Sequence, residues 1–334
     1  MKKEIKKIAI VRLSALGDII NSAVVLQFIK QFYPNTQVDW ITEEMFAPLL
    51  THAKYLDNIH TVNLKKLKKE KSLHNLRVAL KKLHSLEEYD LIIDMQGLIK
   101  SAIVARVLGK NTHGFDKNST RESLASLLYK TTSAISYETG VVTRNTFLVG
   151  DALGFSITDE MIRNKEAIFK ATRNYEFAKE KKNVVFVIGA SWESKIYPKE
   201  KIVEVCDALG VACHIIWGNE KEKEDATWIC NNTQHATLAP KMSLGELISF
   251  ISSADLVIGN DTGPTHLAWA QNIPSITLFG PTNERMIYQT PKNIAINSPS
   301  SVNILKIDKN DFSIGEILPE TIVQHAKELL NHGL

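Results

Sequence analysis

The most informative segment of the sequence is Leu256-Val257-Ile258-Gly259-Asn260-Asp261-Thr262-Gly263-Pro264-Thr265-His266. Its apolar beginning is typical of a buried strand, and a helix over about residues 264–271 is predicted to follow. Backbone amides at such a helix start have no partner within the helix, and the helix dipole adds partial positive charge, so the position suits phosphate. On spacing alone a second interpretation stays open, in which Asp261 or Thr262 is simply the N-cap and His266 lies in the core.

The same order of strand and helix recurs along the whole chain. Apolar strands are predicted at residues 8–11, 38–41 and 91–93 of the first half and at 184–189, 214–218, 256–259 and 276–280 of the second. Helical spacing is found at residues 19–32, 122–130 and 142–153. This alternation is typical of parallel sheets joined by helical crossovers, so the fold class is predicted to be α/β.

A polar, charged stretch at residues 158–182 separates the two halves. A chain of 334 residues exceeds what one hydrophobic core usually supports, so two domains are expected. We predict a first domain at residues 1–175 and a second at 176–315. A C-terminal helix at 316–334 is predicted to pack back on the first domain.

Composition and charge exclude several classes of protein. The net charge of +3 is small and gives no reason to expect nucleic acid as a partner. Cys206, Cys213 and Cys230 form no CxxC pair, which favours a reducing compartment over a disulfide framework. Arg12 and Asp18 interrupt the segment in which a signal peptide would need its apolar core, and no stretch approaches the ~20 apolar residues of a membrane span. The sequence therefore predicts a cytoplasmic protein, which can still dock on a membrane surface.

Two strand ends have similar sequences. Residues 89–97 and 254–263 each lead from an apolar strand into an acidic or amide residue and a glycine, and then into a helix. In parallel α/β sheets, ligands bind beyond the carboxyl ends of the strands. We therefore expect the chemistry of this protein at these strand ends.

Sequence motifs for common cofactors and metals are missing. No GxGxxG follows a strand, and no GxxxxGK[ST] is present. The ten histidines show no HExxH or other ligand spacing, and no Asp-x-Asp pair offers oxygens to a metal-bound nucleotide. We predict no cofactor and no metal, so that the protein itself must neutralise the charge of a leaving diphosphate.

Charged residues at three strand ends are candidates for that chemistry. Lys195 closes a loop of small residues and can follow the charge of a leaving diphosphate, although a solvated loop lysine is the simpler interpretation. Glu222 is one of three glutamates in the turn after residue 218, where a carboxylate can bind ribose hydroxyls or merely favour the helix dipole. Asp18 follows the first strand and can act as a general base or as a helix cap.

Basic residues are concentrated in the first half of the chain. Between residues 65 and 82 the single acidic residue is Glu70. The run comprises Lys65, Lys66, Lys68, Lys69, Lys71, Arg77, Lys81 and Lys82, and Lys100, Arg106, Lys110 and Arg121 follow it. A charge run is usually a solvated face. The alternative is attraction to a polyanionic acceptor or to an anionic membrane surface.

Five segments, in consistent order between about residues 8 and 283, together resemble the ADP-heptose:lipopolysaccharide heptosyltransferases. They are Val11-Arg12-Leu13-Ser14-Ala15-Leu16-Gly17-Asp18, Asp94-Met95-Gln96-Gly97-Leu98-Ile99-Lys100-Ser101-Ala102, Trp217-Gly218 with Glu222, Pro240-Lys241-Met242-Ser243-Leu244, and Asp261-Thr262-Gly263-Pro264-Thr265-His266. The segment Gly97-Leu98-Ile99-Lys100-Ser101-Ala102 and the segment Arg121-Glu122-Ser123-Leu124-Ala125-Ser126-Leu127 favour the heptosyltransferase I branch over the heptosyltransferase II branch.

This resemblance implies the GT-B fold, in which two Rossmann-like parallel-sheet domains face a central cleft. The N-terminal domain would hold the acceptor, and the C-terminal domain would hold ADP-heptose. The implied reaction is an inverting, metal-independent transfer of L-glycero-D-manno-heptose to a Kdo residue of Kdo₂-lipid A, in lipopolysaccharide inner-core biosynthesis. The enzyme would be peripheral on the cytoplasmic face of the inner membrane, whose surface would be a further partner.

The resemblance also implies roles for individual residues. Asp18 would be the general base, and Lys195 the second catalytic residue. ADP-heptose would be bound by Ser191, Lys195, Thr262 and Gly263 at the diphosphate, by Glu222 at the ribose, by the backbone near Met242 at the adenine, and by Asp261 and His266 at the heptose. The acceptor would be bound by Ser14, Gly17, Gln96, Lys100, Arg121, Lys65, Lys66 and Lys68. Ala15 and Ala190 stand where the family often has a hydroxyl residue, so one donor contact in each loop is lost or replaced by backbone.

Other functions stay open at this point. A later heptosyltransferase would share the donor, and a sugar-nucleotide 2-epimerase would share the two-domain architecture but turn over with the donor alone. A non-catalytic module that binds nucleotide sugars would not depend on Asp18. The basic first half and the segment Gly97-Leu98-Ile99-Lys100 favour the transferase.

Overall fold

The computed structural model describes residues 5–64, 78, 81–86, 88–177 and 180–331. The chain forms two compact units, Met1–Ile168 and Phe169–Leu334. The sequence prediction puts the boundary a few residues later, after residue 175.

The first unit is built on one parallel sheet. Its six described strands are β1 (Lys7–Val11), β2 (Gln37–Glu43), β3 (Asn58–Val62), β4 (Leu91–Asp94), β5 (Thr112–Phe115) and β6 (Thr131–Ser133). They lie in the order β3-β2-β1-β4-β5-β6. In β1, residues Ile8 to Val11 are completely buried, as expected for a central strand that is covered on both faces.

The described helices of the first unit alternate with these strands. They are α1 (Leu16–Ala23), α2 (Val25–Phe32), α3 (Ala47–Leu50), α4 (Ile99–Leu108), α5 (Val141–Leu153) and α6 (Asp159–Arg163), with 3₁₀ turns at Glu44–Phe46 and Ser123–Leu128. The helix predicted at residues 19–32 is thus divided in two at Val24. The one predicted at 122–130 is a 3₁₀ segment, in which the Ser126 hydroxyl donates to the Ser123 carbonyl at 2.7 Å and so competes with helical bonding.

The second unit is built in the same way. Its described strands are β7 (Asn183–Val187), β8 (Ala212–Ile216), β9 (Ala236–Leu238), β10 (Leu256–Asn260), β11 (Ser275–Phe279) and β12 (Asn293–Asn297), in the order β12-β11-β10-β7-β8-β9. Its helices are α7 (Lys199–Leu209), α8 (Glu220–Asn232), α9 (Leu244–Ser252), α10 (Gly263–Ala270) and α11 (Pro319–Asn331), with 3₁₀ turns at Glu193–Lys195, Glu284–Met286 and Ser313–Glu316. Among the described residues of both units, no helix is long and apolar enough to cross a membrane.

Both sheets have the same topology. In each sheet, the first three strands of the unit lie side by side from the centre to one edge, and the last three lie side by side from the centre to the other edge. This is the strand order of the Rossmann fold, so the prediction of two Rossmann-like parallel sheets is confirmed. Ligands of this fold bind where the order reverses, which is beyond the carboxyl ends of β1 and β4 in one unit and of β7 and β10 in the other.

The C-terminal helix α11 is part of the second unit. Its buried residues Ile322, Val323, Ala326 and Leu330 recur at helical spacing and join the same hydrophobic core as Ile258 of β10. The apolar face of α11 therefore packs within the second unit. The sequence analysis instead predicted that this helix packs on the first domain.

Candidate active site

Asp18 lies at the start of α1, in the turn that follows β1. Its Oδ2 accepts a hydrogen bond from the backbone amide of Ala15 at 3.2 Å, so Asp18 does act as a partial cap of this helix. Its Oδ1 lies 2.7 Å from the guanidinium of Arg12. The side chain is nevertheless 26% exposed. Two donors thus fix the carboxylate, and it stays accessible to a ligand.

Arg12 joins the ends of three strands at this position. Its side chain is nearly buried, and its guanidinium donates to the carbonyl of Met95, just after β4. Its own carbonyl accepts from the indole nitrogen of Trp40 in β2 at 3.1 Å. A buried guanidinium is costly unless it meets an anion, and Asp18 supplies that anion. The sequence motif contains Arg12, but nothing in its pattern marked the residue as functional.

Gln96 connects the turn after β1 with the turn after β4. Its side-chain carbonyl accepts from the backbone amides of Leu13 at 2.8 Å and Ser14 at 3.3 Å. The Ser14 hydroxyl in turn accepts from the Gln96 side chain and from Lys100 Nζ, each at 3.4 Å. Ser14, Gln96 and Lys100 therefore form one hydrogen-bonded group where the strand order reverses, and Gly17 lies in the adjacent first turn of α1.

The turn that carries Gln96 is built on a buried carboxylate. Asp94 Oδ1 accepts from the amide of Gln96 at 2.8 Å, and Asp94 Oδ2 accepts from the hydroxyl of Tyr129 at 2.7 Å. Burial raises the pKa of Asp94 above its usual value, although these hydrogen bonds act in the opposite direction. Gly97 has a φ of +67°, in the left-handed region that favours glycine. The local sequence Asp94-Met95-Gln96-Gly97 thus determines where Gln96 points.

The other predicted acceptor residues are not joined to this group by a described contact. Arg121 is exposed and precedes Glu122, whose carboxylate accepts from the amide of Ile99 at 2.7 Å and so holds this loop at the start of α4. Lys65, Lys66 and Lys68 lie outside the described residues.

Asp261 is the centre of the candidate site in the second unit, directly after β10. Its Oδ2 lies 2.6 Å from Lys195 Nζ and accepts from the Thr282 hydroxyl at 2.8 Å. Its Oδ1 lies 3.0 Å from His266 Nε2. Asp261, Lys195 and His266 are all buried. The solvated loop lysine considered from the sequence is therefore not what the structure shows, because Lys195 is inside and ion-paired.

The charges of this cluster determine the ionisation of Asp261. Burial alone would raise its pKa, but the charge of Lys195 and the hydrogen bond of His266 outweigh burial and hold the pKa well below its usual range. Asp261 is therefore ionised at every physiological pH. The cluster keeps a buried cation and anion paired at the end of a strand, where Rossmann-like folds bind ligands.

The start of α10 differs from the simple capped helix. Thr262 occupies the N-cap position, with extended backbone angles, yet its side chain makes no capping hydrogen bond. The carboxylate of Asp261 bonds to the side chains of Lys195, His266 and Thr282 instead of capping the helix. The buried Gly263 is the first residue of the helix. The first-turn amides of α10 thus receive no bond from the Thr262 side chain and keep their capacity to bind an anion.

Glu222 binds back to the loop that precedes its own helix, α8. Its carboxylate accepts from the amide of Gly218 and from the Asn219 side chain, each at 2.7 Å. It also lies against Gly189, where a Cβ would come within 2.6 Å of the carboxylate. Only glycine fits at residue 189 with Glu222 in this position.

A cavity of about 250 Å³ opens beside this carboxylate. Its lining residues include Ser191 and Trp192 from the loop after β7 and Asn219 and Glu222 from the loop after β8. Two of the predicted donor residues, Ser191 and Glu222, are therefore brought together at one cavity. Lys195 and Asp261 do not line it.

Met242, the predicted position of the adenine, is half-buried in the loop before α9. In the preceding segment, the carbonyl of Ala239 accepts from the indole nitrogen of Trp217 at 2.9 Å. Lys241 Nζ lies 5.1 Å from the centre of the Trp217 ring, a cation–π contact. Met242 thus lies next to the loop after β8.

Two polar residues of the second unit were missed by the sequence analysis. Thr282, after β11, is the third hydrogen-bond partner of Asp261. Asn260, the last residue of β10, donates to the carbonyl of Ile188 at 2.8 Å and accepts from the amide of Tyr197 at 3.1 Å. Asn260 thereby ties both ends of the Lys195 loop to β10. Its place at the end of a buried strand is the signal that could have identified it.

Comparison with known proteins identifies the family of this chain. The model of glycosyltransferase family 9 (heptosyltransferase) matches residues 77–311. Lipopolysaccharide heptosyltransferase 1 of Campylobacter coli is 39% identical, over 97% of this chain and 98% of the relative. The protein of the same name from Escherichia coli K12 is 28% identical, over 90% of this chain and 96% of the relative.

Solved structures agree with these relatives in fold. The E. coli heptosyltransferase WaaC with ADP superposes with a TM-score of 0.80 at 24% identity, over 97% of this chain and 99% of that one. A glycosyl transferase of family 9 from Veillonella parvula also has a TM-score of 0.80, at 18% identity and 99% coverage of both chains. The predicted GT-B fold class is thereby confirmed. On its family match and on a relative 39% identical along nearly its full length, the chain belongs to glycosyltransferase family 9, the heptosyltransferases.

Proposed function

We propose that this heptosyltransferase transfers L-glycero-D-manno-heptose from ADP-heptose to a Kdo residue of Kdo₂-lipid A, in the lipopolysaccharide inner core. One observation carries the proposal. The buried pair of Lys195 and Asp261 lies at the end of β10, in a chain whose 39% identical relative is a lipopolysaccharide heptosyltransferase 1. A buried cation beside a helix start is suited to a diphosphate, and the neighbouring carboxylate is suited to sugar hydroxyls.

In the proposed donor site, ADP-heptose contacts the segments that follow β7, β8, β9 and β10. Lys195, Ser191, Thr262 and Gly263 bind the diphosphate, Glu222 binds the ribose, and the backbone near Met242 binds the adenine. The ionised Asp261 accepts hydrogen bonds from heptose hydroxyls, and His266 accepts from them or donates to them. The pairing of Lys195 with Asp261 at 2.6 Å supports this arrangement, because it fixes the ammonium group before the donor arrives.

The proposed reaction is a single displacement with inversion. Asp18 removes the proton from the attacking hydroxyl of Kdo, and the resulting oxygen forms a bond to the anomeric carbon of the heptose. The bond from that carbon to the phosphate oxygen breaks, and ADP leaves with the electron pair. Lys195 and the start of α10 stabilise the charge that develops on the diphosphate, in the role that a metal ion has in other transferases.

The proposed acceptor site uses the residues around Asp18. Ser14, Gly17 and Gln96 line the turn, and Lys100 and Arg121 meet the carboxylates and phosphates of the lipid acceptor, together with Lys65, Lys66 and Lys68. The hydrogen bond from Lys100 to Ser14 at 3.4 Å supports this assignment, because it brings a cation to the loop of the proposed base. Such an acceptor lies in a bilayer, so the enzyme would act as a peripheral protein on the cytoplasmic face of the inner membrane.

The test is a comparison of acceptors. The protein is incubated with ADP-heptose and either Kdo₂-lipid A or the same lipid that already carries one heptose, in the presence of excess EDTA. We expect mass spectrometry to find one added heptose on the first acceptor only, and NMR to show an anomeric configuration opposite to that of the donor. Transfer only to the second acceptor would identify a later heptosyltransferase. Loss of activity in EDTA that magnesium restores would contradict metal-independent transfer.

A further inference from the structure

Large apolar side chains are exposed together on one part of the first unit. On α4, Ile99 and Ile103 are four residues apart and therefore lie on one face. In the 3₁₀ turn Ser123–Leu128, Leu124 and Leu127 are three residues apart and point the same way. Leu127 is 78% exposed and Leu124 63%. Four exposed aliphatic side chains on two neighbouring segments are unusual for a surface that faces only water.

The two segments are packed against each other, so these side chains form one patch. Ala102 of α4 is buried with Ala125 and Tyr129 in one small hydrophobic cluster. The hydrogen bond from the Ile99 amide to Glu122 joins the two segments a second time. We call the surface formed by Ile99, Ile103, Leu124 and Leu127 the α4 patch.

Basic residues surround the α4 patch. Arg106 continues the spacing of Ile99 and Ile103 along α4, and Lys100, Lys110, Arg121 and Lys130 are also exposed. In the sequence, residues 99–110 contain no acid, and residues 121–130 contain only Glu122. Five basic residues against the single carboxylate of Glu122 give this surface a positive charge.

We propose that the α4 patch and its basic rim dock this protein on a bilayer that carries anionic phospholipids. Aliphatic side chains between lysines and arginines match the acyl boundary and the phosphate layer of such a bilayer, respectively. A protein partner of this chemistry would need both an apolar and an acidic surface, whereas an anionic bilayer supplies both at once. The inference rests on the proposed function in one respect, namely that its acceptor is a lipid.

The position of the α4 patch within the first unit is consistent with a bilayer as its partner. Lys100 belongs to the rim of the patch and also bonds to Ser14, in the loop of the proposed base. A bilayer bound at the patch would therefore lie next to the residues that are proposed to bind a lipid acceptor. The docking surface and the acceptor loop would act on the same membrane.

The experiment measures binding to vesicles without donor or acceptor. Wild-type protein is sedimented with vesicles of phosphatidylcholine alone and of phosphatidylcholine with phosphatidylglycerol, at low and high salt. The apolar variant is Ile103→Ser with Leu127→Ser, and the charge variant is Arg106→Gln with Lys110→Gln. The matched control is Leu305→Ser, which removes a leucine of 61% exposure from the second unit. Melting temperatures verify that all four proteins are folded.

We expect the wild type and Leu305→Ser to bind the phosphatidylglycerol vesicles, and salt to weaken this binding. The apolar variant should bind about tenfold more weakly or worse, because it removes half of the aliphatic patch. The charge variant should lose about fivefold for each basic residue, since each one near an anionic surface contributes ~1 kcal/mol. All variants should transfer heptose to a soluble, deacylated acceptor at the wild-type rate.

Equal binding by the wild type and both patch variants would overturn the proposal. So would a wild type that ignores the vesicles but self-associates through these residues in ultracentrifugation. Vesicle binding as expected, without heptose transfer to either acceptor, would contradict the proposed function and leave the docking surface in place.

Discussion

At the scale of single residues, each proposed catalytic group is held by an opposite charge. Asp18 lies 2.7 Å from Arg12, and Lys195 lies 2.6 Å from Asp261. Such pairs fix the position of a side chain. The proposed base Asp18 and the proposed diphosphate-binding residue Lys195 are thus both held in position before a substrate binds. Such prior positioning contributes to catalysis.

Replacing Asp18 with asparagine should remove the base but keep its shape. Loss of a general base typically lowers turnover by ~10²–10⁴-fold. We expect that loss in kcat, measured by ADP release, with the affinity for ADP-heptose unchanged in calorimetry. The control is Asp57→Asn, which breaks another ion pair of the first unit, to Lys30 at 2.7 Å. Activity of Asp18→Asn within a few-fold of the wild type would reduce Asp18 to a helix cap.

Lys195→Ala should reduce catalysis more than donor binding. The charge on the diphosphate grows as the bond to the heptose breaks, so the lysine contributes most in the transition state. Loss of one such donor typically costs ~2.7–4 kcal/mol of barrier. The donor Kd from calorimetry and kcat from single turnover separate the two effects. Lys182→Ala, which removes a half-exposed lysine paired to Asp255 at 3.1 Å, is the control. A rise in Kd that accounts for the whole loss of kcat/KM would make Lys195 a binding residue only.

The pair of Lys195 and Asp261 should also be visible in stability. Asp261→Asn leaves Lys195 buried without its anion, which typically costs ~3–5 kcal/mol of unfolding free energy. The pKa of Asp261 is depressed in the folded protein, so its contribution is present above the unfolded pKa of about 4 and is lost as pH falls below it. Urea unfolding at pH 7, 5 and 3 should therefore show a constant difference between variant and wild type at the two higher values and a smaller one at pH 3. A difference in unfolding free energy between variant and wild type that does not change with pH would mean that the partners of Asp261 do not lower its pKa.

At the scale of elements, the turns after the strands carry the site. The sequence predicted that candidate residues would follow β1, β4, β7, β8 and β10, because apolar strands that end in glycine, acidic and amide residues are easy to recognise. It missed β5 and the edge strands β3, β6, β9 and β12, which are short or carry polar residues and so give a weak strand signal. It could not decide between a capped helix and a ligand site at α10, because only side-chain positions show that Asp261 bonds to Lys195, His266 and Thr282.

Gly189→Ala should damage the donor site through the neighbouring turn. A Cβ at residue 189 would displace the carboxylate of Glu222 and break its bonds to Gly218 and Asn219. We expect about tenfold weaker binding of ADP in calorimetry, similar to the effect of Glu222→Ala, since two hydrogen bonds to a charged group are lost. Gly315→Ala is the control, because its Cβ would meet nothing closer than 3.6 Å. Unchanged ADP affinity in Gly189→Ala would show that Glu222 is not in the donor site.

At the scale of the whole molecule, two units with one topology each carry one part of the proposed site. Both sheets have the Rossmann strand order, and the proposed acceptor residues lie in the first unit and the proposed donor residues in the second. The alternation of strands and helices was sufficient to predict these two sheets. It did not predict that α11 packs within the second unit, because an amphipathic helix shows that it has an apolar face but not which core that face covers.

Release of ADP from ADP-heptose, measured with and without Kdo₂-lipid A, tests directly whether this heptosyltransferase acts on a lipid acceptor. We expect ADP to appear at least about tenfold faster when the acceptor is present, with one heptose added to the lipid for each ADP released. An epimerase or a hydrolase would turn over the donor alone. Release of ADP at the same rate without Kdo₂-lipid A, or no release with it, would contradict transfer to this lipid.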